Sequence, residues 1–304
     1  MIQDIAPQKL YNQYKKKTPS AESRICVFDR GSLLVGKTDA QDPETMQGLR
    51  FPRFCEFAQE IETEYLFSID ETGYFLAFGE PGAPLTETDA GGPGEPGSVG
   101  SGPLPDGFEF SPILQLRDGR PQAGAEMFAA FTAFHLWKWY SANRFCGRCG
   151  HPMARGDKER VLICPGCGNH IYPRLNPAVI VGVINGDRIL VTKYRTGYAQ
   201  SALIAGFTEI GETFEQTVAR EVMEEAGIHV KNIRYYKSQP WAPAEDILAG
   251  FYCEVDGDDT IRMDTGELKY AEWVKREDIV LQTTNYSLTN EMLRMFKEGV
   301  VTEP

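Results

Sequence analysis

The chain has 304 residues, 42 % hydrophobic and 24 % charged, and its 43 acidic against 31 basic side chains give a formal net charge of −12. The length predicts two or three domains rather than one, and the composition is that of a folded globular protein, which excludes disorder throughout. The charge sets a field that repels nucleic acid unless a local basic patch or a divalent cation intervenes, and this favours a small, phosphate-bearing substrate that arrives with metal.

The N-terminal stretch "MIQDIAPQKLYNQYKKKTPS" has charges but no apolar core of signal-peptide length, and no segment reaches the roughly 20 apolar residues of a membrane span. A cytoplasmic protein without a membrane contact is expected. Two β-like segments follow, "SRICVFDRGSLLVGK" and "EYLFSIDETGYFLAF", and predict an α+β domain over residues 1–121. Within it, residues 80–107 are too rich in Gly and Pro to bury a core and read as a flexible loop. Residues 122–143 form an apolar run without internal Pro, predicting one connecting helix whose start Gly124 weakens. His135 inside that run is expected to be a hydrogen-bonded core histidine.

Four of the seven cysteines form two close pairs in residues 144–174, Cys146/Cys149 and Cys164/Cys167, separated by fourteen residues. In a chain without a secretion signal this is metal spacing more than disulfide spacing. Four thiolates close a tetrahedral shell around Zn²⁺ at about 2.3 Å per bond and leave no position for a reacting water, so the predicted role is structural. A redox Cys-x-x-Cys pair is the rival reading. His151 and His170 flank the knuckles and are expected at the surface or in support of the ligands. Cys26, Cys55 and Cys253 read as small buried hydrophobes. A ribbon of this type can also bind nucleic acid, which keeps a non-catalytic binding role as the competing function.

Residues 175–304 read differently. "PAVIVGVINGDRILVTKY" gives two β-rich runs around the turn "NGD", a hairpin signal. "SALIAGFTEIGETFEQTVAREVMEEAGIHV" then reads strand, loop, helix, strand. Thr213 with Gln216 forms a capping box and Gly227 suits a left-handed C-cap, which bounds the helix at Phe214 and Ala226. Phe214, Val218, Val222 and Ala226 recur on one stripe and leave Glu221, Glu224 and Glu225 on another. Like charges three or four residues apart on a helix cost about 0.2–0.5 kcal/mol per pair, so a cation is expected among them. Mg²⁺ takes carboxylate and phosphate oxygens and keeps several waters. Such a cluster therefore binds metal together with a diphosphate. Arg220 is expected to orient the glutamates, because its guanidinium stays protonated and grips carboxylates bidentately.

The stretch Gly206–Ile228 matches G-x5-E-x7-R-E-U-x-E-E-x-G-U at every defined position through Gly206, Glu212, Arg220, Glu221, Glu224, Glu225 and Gly227, and so resembles the Nudix box. The resemblance implies an α/β/α sandwich with a mixed β-sheet, preceded by a zinc ribbon and an α+β N-terminal domain. "FCGRCGHPM", "CPGCGNHIYPRLNPAVI" and "SQPW" narrow it to the NADH pyrophosphatase branch. That branch cleaves the diphosphate of NADH or NAD⁺ to nicotinamide mononucleotide and AMP, includes members that remove NAD caps from RNA, and is typically homodimeric. It implies Mg²⁺ or Mn²⁺ at Glu221, Glu224 and Glu225, with Glu225 also the proton acceptor, and Glu267 as a further acidic ligand. Phe207 and Tyr172 match aromatic positions that contact a base or ribose, and Ser238, Gln239 and Trp241 fall in the specificity loop. The chain departs from the branch after Trp241, where "SQPWAPAED" stands in place of S-Q-P-W-P-F-P-x-S. Losing an aromatic ring and gaining Glu245 and Asp246 makes NADPH an expected poor substrate. It also raises one alternative, another nucleoside diphosphate substrate such as ADP-ribose or a dinucleoside polyphosphate. A non-catalytic zinc-ribbon/Nudix protein for nucleotide sensing or nucleic-acid binding is the alternative of a different class, which loss of box glutamates would favour, and none is lost.

Overall fold

The computed structural model describes residues 1–36, 48–79, 103–116, 124–195 and 201–301. The chain divides into two compact units, Gln3–Arg174 and Leu175–Pro304 together with Met1–Ile2. Among the described residues no helix is long and apolar enough to cross a membrane.

The first unit begins with seven short strands: β1 (Leu10–Tyr11), β2 (Arg24–Cys26), β3 (Phe28–Asp29), β4 (Ser32–Gly36), β5 (Glu62–Ile69), β6 (Thr72–Phe78) and β7 (Phe108–Pro112). They form two small sheets, β1-β5-β6-β2 and β3-β4-β7. The segment "SRICVFDRGSLLVGK" becomes three strands because Arg30 and Gly31, at φ 46° and 83°, turn the chain between β3 and β4. Ile25, Val27, Leu34, Tyr65 and Phe75 supply the core. Of the Gly/Pro-rich loop, residues 80–102 lie outside the described residues. Helix α1 spans Gly124–Ala142, and the first two residues expected in it are likewise outside them. His135 is half-buried rather than a core residue, and its Nε2 donates to the Arg174 carbonyl at 2.9 Å. Cys26 and Cys253 are buried as expected, whereas Cys55 is exposed, since it sits on the 3₁₀ turn Phe54–Glu56.

The rest of this unit is the cysteine segment, with β8 (Ala154–Arg155), β9 (Leu162–Ile163) and β10 (His170–Ile171) in the order β10-β9-β8. It is tied to the N-terminal strands at several points. The Tyr14 hydroxyl donates to the Gly156 carbonyl at 2.8 Å, Arg155 pairs with Glu62 and Glu64, and Arg160 bonds Asn12 and the Leu66 carbonyl.

The second unit contains β11 (Asn176–Asn185), β12 (Arg188–Tyr194), β13 (Ile204–Phe207), α2 (Phe214–Ala226), β14 (Val230–Trp241), β15 (Asp246–Val255), β16 (Leu268–Lys275) and α3 (Leu288–Lys297). The sheet order is β14-β15-β11-β12-β16, with β13 added to β11. The β11/β15 pair is parallel and the other pairs antiparallel, so the sheet is mixed. The β11/β12 turn closes at Asn185 and Arg188, with Gly186 at φ 61°, as "NGD" predicts.

Strand β11 is buried on both faces, and its two-residue alternation sorts the cores. Val179, Val181 and Val183 pack with Val218, Val222 and Ala226 of α2. Ile180 and Ile184 pack with Leu288, Met292 and Phe296 of α3. One helix therefore covers each face, giving three layers, α/β/α. Thr213 and Gln216 exchange capping bonds at 3.3 and 2.8 Å, and Gly227 adopts φ 68°, so α2 starts and stops where its caps place it. Phe214 is the exception on the packing stripe. It is exposed at the first turn, with its ring centroid 6.1 Å from that of the core residue Phe251.

Candidate functional site

Two sites emerge, one in each unit. In the first, Cys146 Sγ lies 3.6 Å from Cys167 Sγ and Cys149 Sγ lies 3.4 Å from Cys164 Sγ. A tetrahedral shell with Zn–S bonds of about 2.3 Å requires sulfurs about 3.8 Å apart, so the four thiolates already stand near the required spacing. Each knuckle is shaped by the same pair of backbone bonds, Gly150 N to Cys146 O and Gly168 N to Cys164 O, with both glycines in the left-handed region. His151 and His170 are exposed, and the His151 ring lies against Gly166, where a Cβ would come within 2.8 Å of it. Among the described residues, these cysteines are the one group of three or more ligating side chains with all ligand atoms within 4.8 Å of one another.

The second site is built around Arg220. Its Nε and Nη2 bond the two Glu212 oxygens at 2.6 and 2.9 Å, its Nη1 bonds Glu221 and Glu224 at 2.8 and 2.9 Å, and Nη2 also reaches the Phe207 carbonyl at 3.0 Å. Glu212 accepts two further bonds, from Thr217 Oγ1 and the Glu209 N–H. The Arg220 bond is the largest of the effects that hold its pKa down at about 2. One arginine thus joins strand β13, the loop after it and helix α2. Gly206 makes room for this: a Cβ there would fall 2.0 Å from the Glu221 carboxylate. Gly206→Ala is accordingly expected to expel Glu221 from the Arg220 grip. It should destabilise the unit by about 1–3 kcal/mol and lower cation affinity about 10–100-fold, as read by thermal melts and Mn²⁺ titration.

Glu225 differs from its neighbours. It is 2 % exposed and accepts from the Tyr194 hydroxyl at 3.1 and 3.2 Å. Burial, assisted by the charges of Glu221 and Glu267 and opposed by the Tyr194 bond, pushes its pKa up to about 8. Glu267 is exposed immediately before β16, beside the bulge that shifts the β12/β16 register at Lys193/Tyr194. Arg220 therefore holds Glu221 and Glu224 beside a Glu212 that it engages twice, while Glu225 and Glu267 repel Glu221 and each other, an excess of carboxylates over guanidinium that suits a divalent cation. Their oxygens are spread more widely than the four sulfurs, which fits hard cations that keep waters and share a diphosphate rather than a closed cage.

Phe207 is 50 % exposed and Tyr172, in the first unit, 54 %, with its hydroxyl donating to Glu159 at 3.0 Å. Ser238, Gln239 and Trp241 are not in a loop: they end β14, opposite Ala249, Leu248 and Asp246 of β15. Gln239 is fully buried, donating to the Tyr286 carbonyl at 2.7 Å and accepting from the Leu288 N–H at 2.8 Å. Its amide donates and accepts in holding the start of α3. Ser238 is exposed and Trp241 half-buried. Tyr194 and Thr217 were not singled out by the sequence pattern.

Asp246 modifies the charge expectation for this region. It is 4 % exposed, its Oδ1 has no hydrogen-bond partner among the described residues, and burial pushes its pKa from 3.8 to about 7. It is therefore only partly ionised near neutral pH. Because the folded chain holds this proton more tightly than the unfolded chain, stability falls as pH rises from about 4 to about 7 and the loss then stays constant. The total reaches up to about 4 kcal/mol. Asp246→Asn should raise the melting temperature most at pH 8, with the gain shrinking toward pH 4. A pH-independent difference in a series of melts would contradict the assignment.

The residues now described coincide with two family models, a NUDIX domain over residues 174–296 and an NADH pyrophosphatase zinc ribbon domain over residues 141–172. The chain thus carries a NUDIX domain with an NADH pyrophosphatase zinc ribbon domain ahead of it. It is similar to the NAD-capped RNA hydrolase NudC of Klebsiella pneumoniae subsp. pneumoniae, 42 % identical over 155 residues that cover 50 % of this chain and 59 % of that protein. It is also similar to the protein of that name from Citrobacter koseri, 42 % identical over 149 residues, covering 48 % and 57 %. The matched stretch thus spans less than two thirds of these relatives. Among solved structures, a NUDIX hydrolase from Nitrosomonas europaea aligns at 23 % identity and a TM-score of 0.43, covering 51 % of this chain and 90 % of that one.

Proposed function

We propose that this chain hydrolyses the diphosphate of NADH and NAD⁺ to nicotinamide mononucleotide and AMP, and performs the same cleavage on NAD-capped RNA. The observation that carries the reading is the single Arg220 guanidinium holding Glu212, Glu221 and Glu224 beside the buried Glu225. In this reading Glu221, Glu224, Glu225 and Glu267 hold Mg²⁺ or Mn²⁺, while Arg220 and Glu212 fix the helix that presents them. Either cation, when bound, neutralises charge on the phosphoryl oxygens and acidifies a water. Glu225 accepts the proton of the attacking water, which displaces the leaving phosphate in line at one phosphorus. Phe207 offers a half-exposed ring for stacking on a base, and Tyr172 keeps the similar role that the resemblance implies. The zinc ribbon carries no step, since four thiolates fill the shell of its metal. We assign the protein a homodimeric state on the same resemblance, to be checked by sedimentation.

A second reading, cleavage of ADP-ribose or a dinucleoside polyphosphate, is favoured by one observation. The turn Ala242–Ala244 and the buried Asp246 replace the aromatic and hydroxyl groups of the branch pattern. A non-catalytic nucleotide or RNA sensor is separated from both by running an RNA mobility-shift assay beside a hydrolysis assay, each in chelator and in Mn²⁺. Hydrolysis that appears only with Mn²⁺ supports the proposal. RNA retention without hydrolysis of any diphosphate in Mn²⁺ contradicts it.

A further inference from the structure

We propose that Tyr194 is a positioning residue for Glu225, fixing the orientation of its carboxylate for cation binding. The inference rests on the reading of the glutamate cluster as a cation site and concerns a residue outside the Nudix box. Strand β13 is paired along one side with β11, from Val181↔Ile204 to Ala178↔Phe207. The Ala205 N–H donates at 3.0 Å to the Tyr194 hydroxyl rather than to a strand. A phenol has a single hydrogen to give. With Ala205 N–H filling one acceptor site, that hydrogen has two candidates, the Ala205 carbonyl at 3.3 Å and the Glu225 oxygens at 3.1 and 3.2 Å. The Glu225 oxygens are the closer acceptors, and once a cation holds that carboxylate ionised the bond becomes charge-assisted, the stronger kind.

The hydroxyl therefore relays the position of the β13 backbone to the Glu225 carboxylate, on the strand whose next residue, Gly206, accommodates Glu221. Glu221 and Glu224 are oriented by Arg220, whereas no ion pair to Glu225 is present among the described residues. Two devices thus set the cluster, a guanidinium for two glutamates and, for the third, the Tyr194 phenol together with the Ala205 N–H. Partners that orient metal ligands in this way are worth about 10–100-fold in metal affinity or activity.

The test is Mn²⁺ binding by electron paramagnetic resonance on the full chain, comparing the unmodified protein, Tyr194→Phe and Glu225→Gln, with dinucleotide KM and kcat measured alongside. Tyr194→Phe should weaken Mn²⁺ binding about 10-fold or more and lower kcat at limiting Mn²⁺, with dinucleotide KM unchanged. A residue with a merely structural role would lower the melting temperature and leave Mn²⁺ affinity as it was. Unaltered Mn²⁺ affinity in Tyr194→Phe, with weakened binding in Glu225→Gln, overturns the role of Tyr194 alone. Unaltered affinity in both overturns the cation-site reading with it. Should Tyr194→Phe fail to fold, the unmodified chain decides: Mn²⁺ should produce a tyrosine ultraviolet difference spectrum that Glu225→Gln loses. Identical spectra in those two proteins would contradict the proposal.

Discussion

Glu225→Gln is expected to lower kcat by roughly 10²–10⁴-fold, the range that a positioned proton acceptor contributes, without unfolding the protein. The substitution keeps the shape of the side chain, and the Tyr194 hydroxyl can still donate to the remaining amide oxygen. Stability should move in the opposite direction from activity. The buried carboxyl has a pKa near 8 in the absence of a cation, against an ordinary 4.5, so its ionisation favours the unfolded chain as pH rises through that interval. A neutral amide removes the penalty. In chelator at pH 8 or above the variant should melt no lower than the unmodified protein, and any advantage should fade toward pH 5. Near-native kcat in saturating Mg²⁺ would show that Glu225 is not the proton acceptor.

Cys164→Ser is expected to have the largest effect on stability. Cys164 is 1 % exposed and its sulfur faces Cys149 across the knuckles. Structural Zn²⁺ contributes apparent free energies of about 10–16 kcal/mol in small zinc-finger peptides, a scale that exceeds the whole stability of many domains. The damage should not stay local, because Tyr14, Arg155 and Arg160 join the ribbon to β5 and to the chain leading to β2. Zinc content measured by atomic absorption should fall below that of the unmodified chain, and hydrogen exchange should accelerate both in the ribbon and in β5. A stable, zinc-free and fully active variant would show that the ribbon needs no metal.

The boundaries of α2 were legible because its caps are local chemistry: Thr213, Gln216 and Gly227 act within a few residues of the helix ends. The cysteine cluster was legible for the same reason, since a metal shell requires particular atoms at particular spacing. Strand β14 was not. The resemblance implies a loop at Ser238, Gln239 and Trp241, yet β14 is an edge strand, where the N–H that Pro240 lacks costs no ladder bond, and the strand continues to Trp241. The burial of Gln239 and Asp246 was hidden because it depends on α3 and on a parallel strand about 70 residues away in sequence. Tyr194 was hidden too, being brought to Glu225 by tertiary packing rather than by a motif. Among the glutamates, the spacing placed them on one face of the helix but could not show that Glu225 points inward while Glu224 points to solvent.

The most direct test of the account supplies NADH, NAD⁺, ADP-ribose and diadenosine polyphosphates separately to the full chain in Mg²⁺ or Mn²⁺, with products identified by mass-resolved chromatography. Reduced nicotinamide mononucleotide and AMP formed fastest from NADH, and only with metal, is the predicted result. Slow NADH turnover beside rapid cleavage of another diphosphate would contradict the assigned substrate, and no cleavage of any of them would contradict the assigned chemistry.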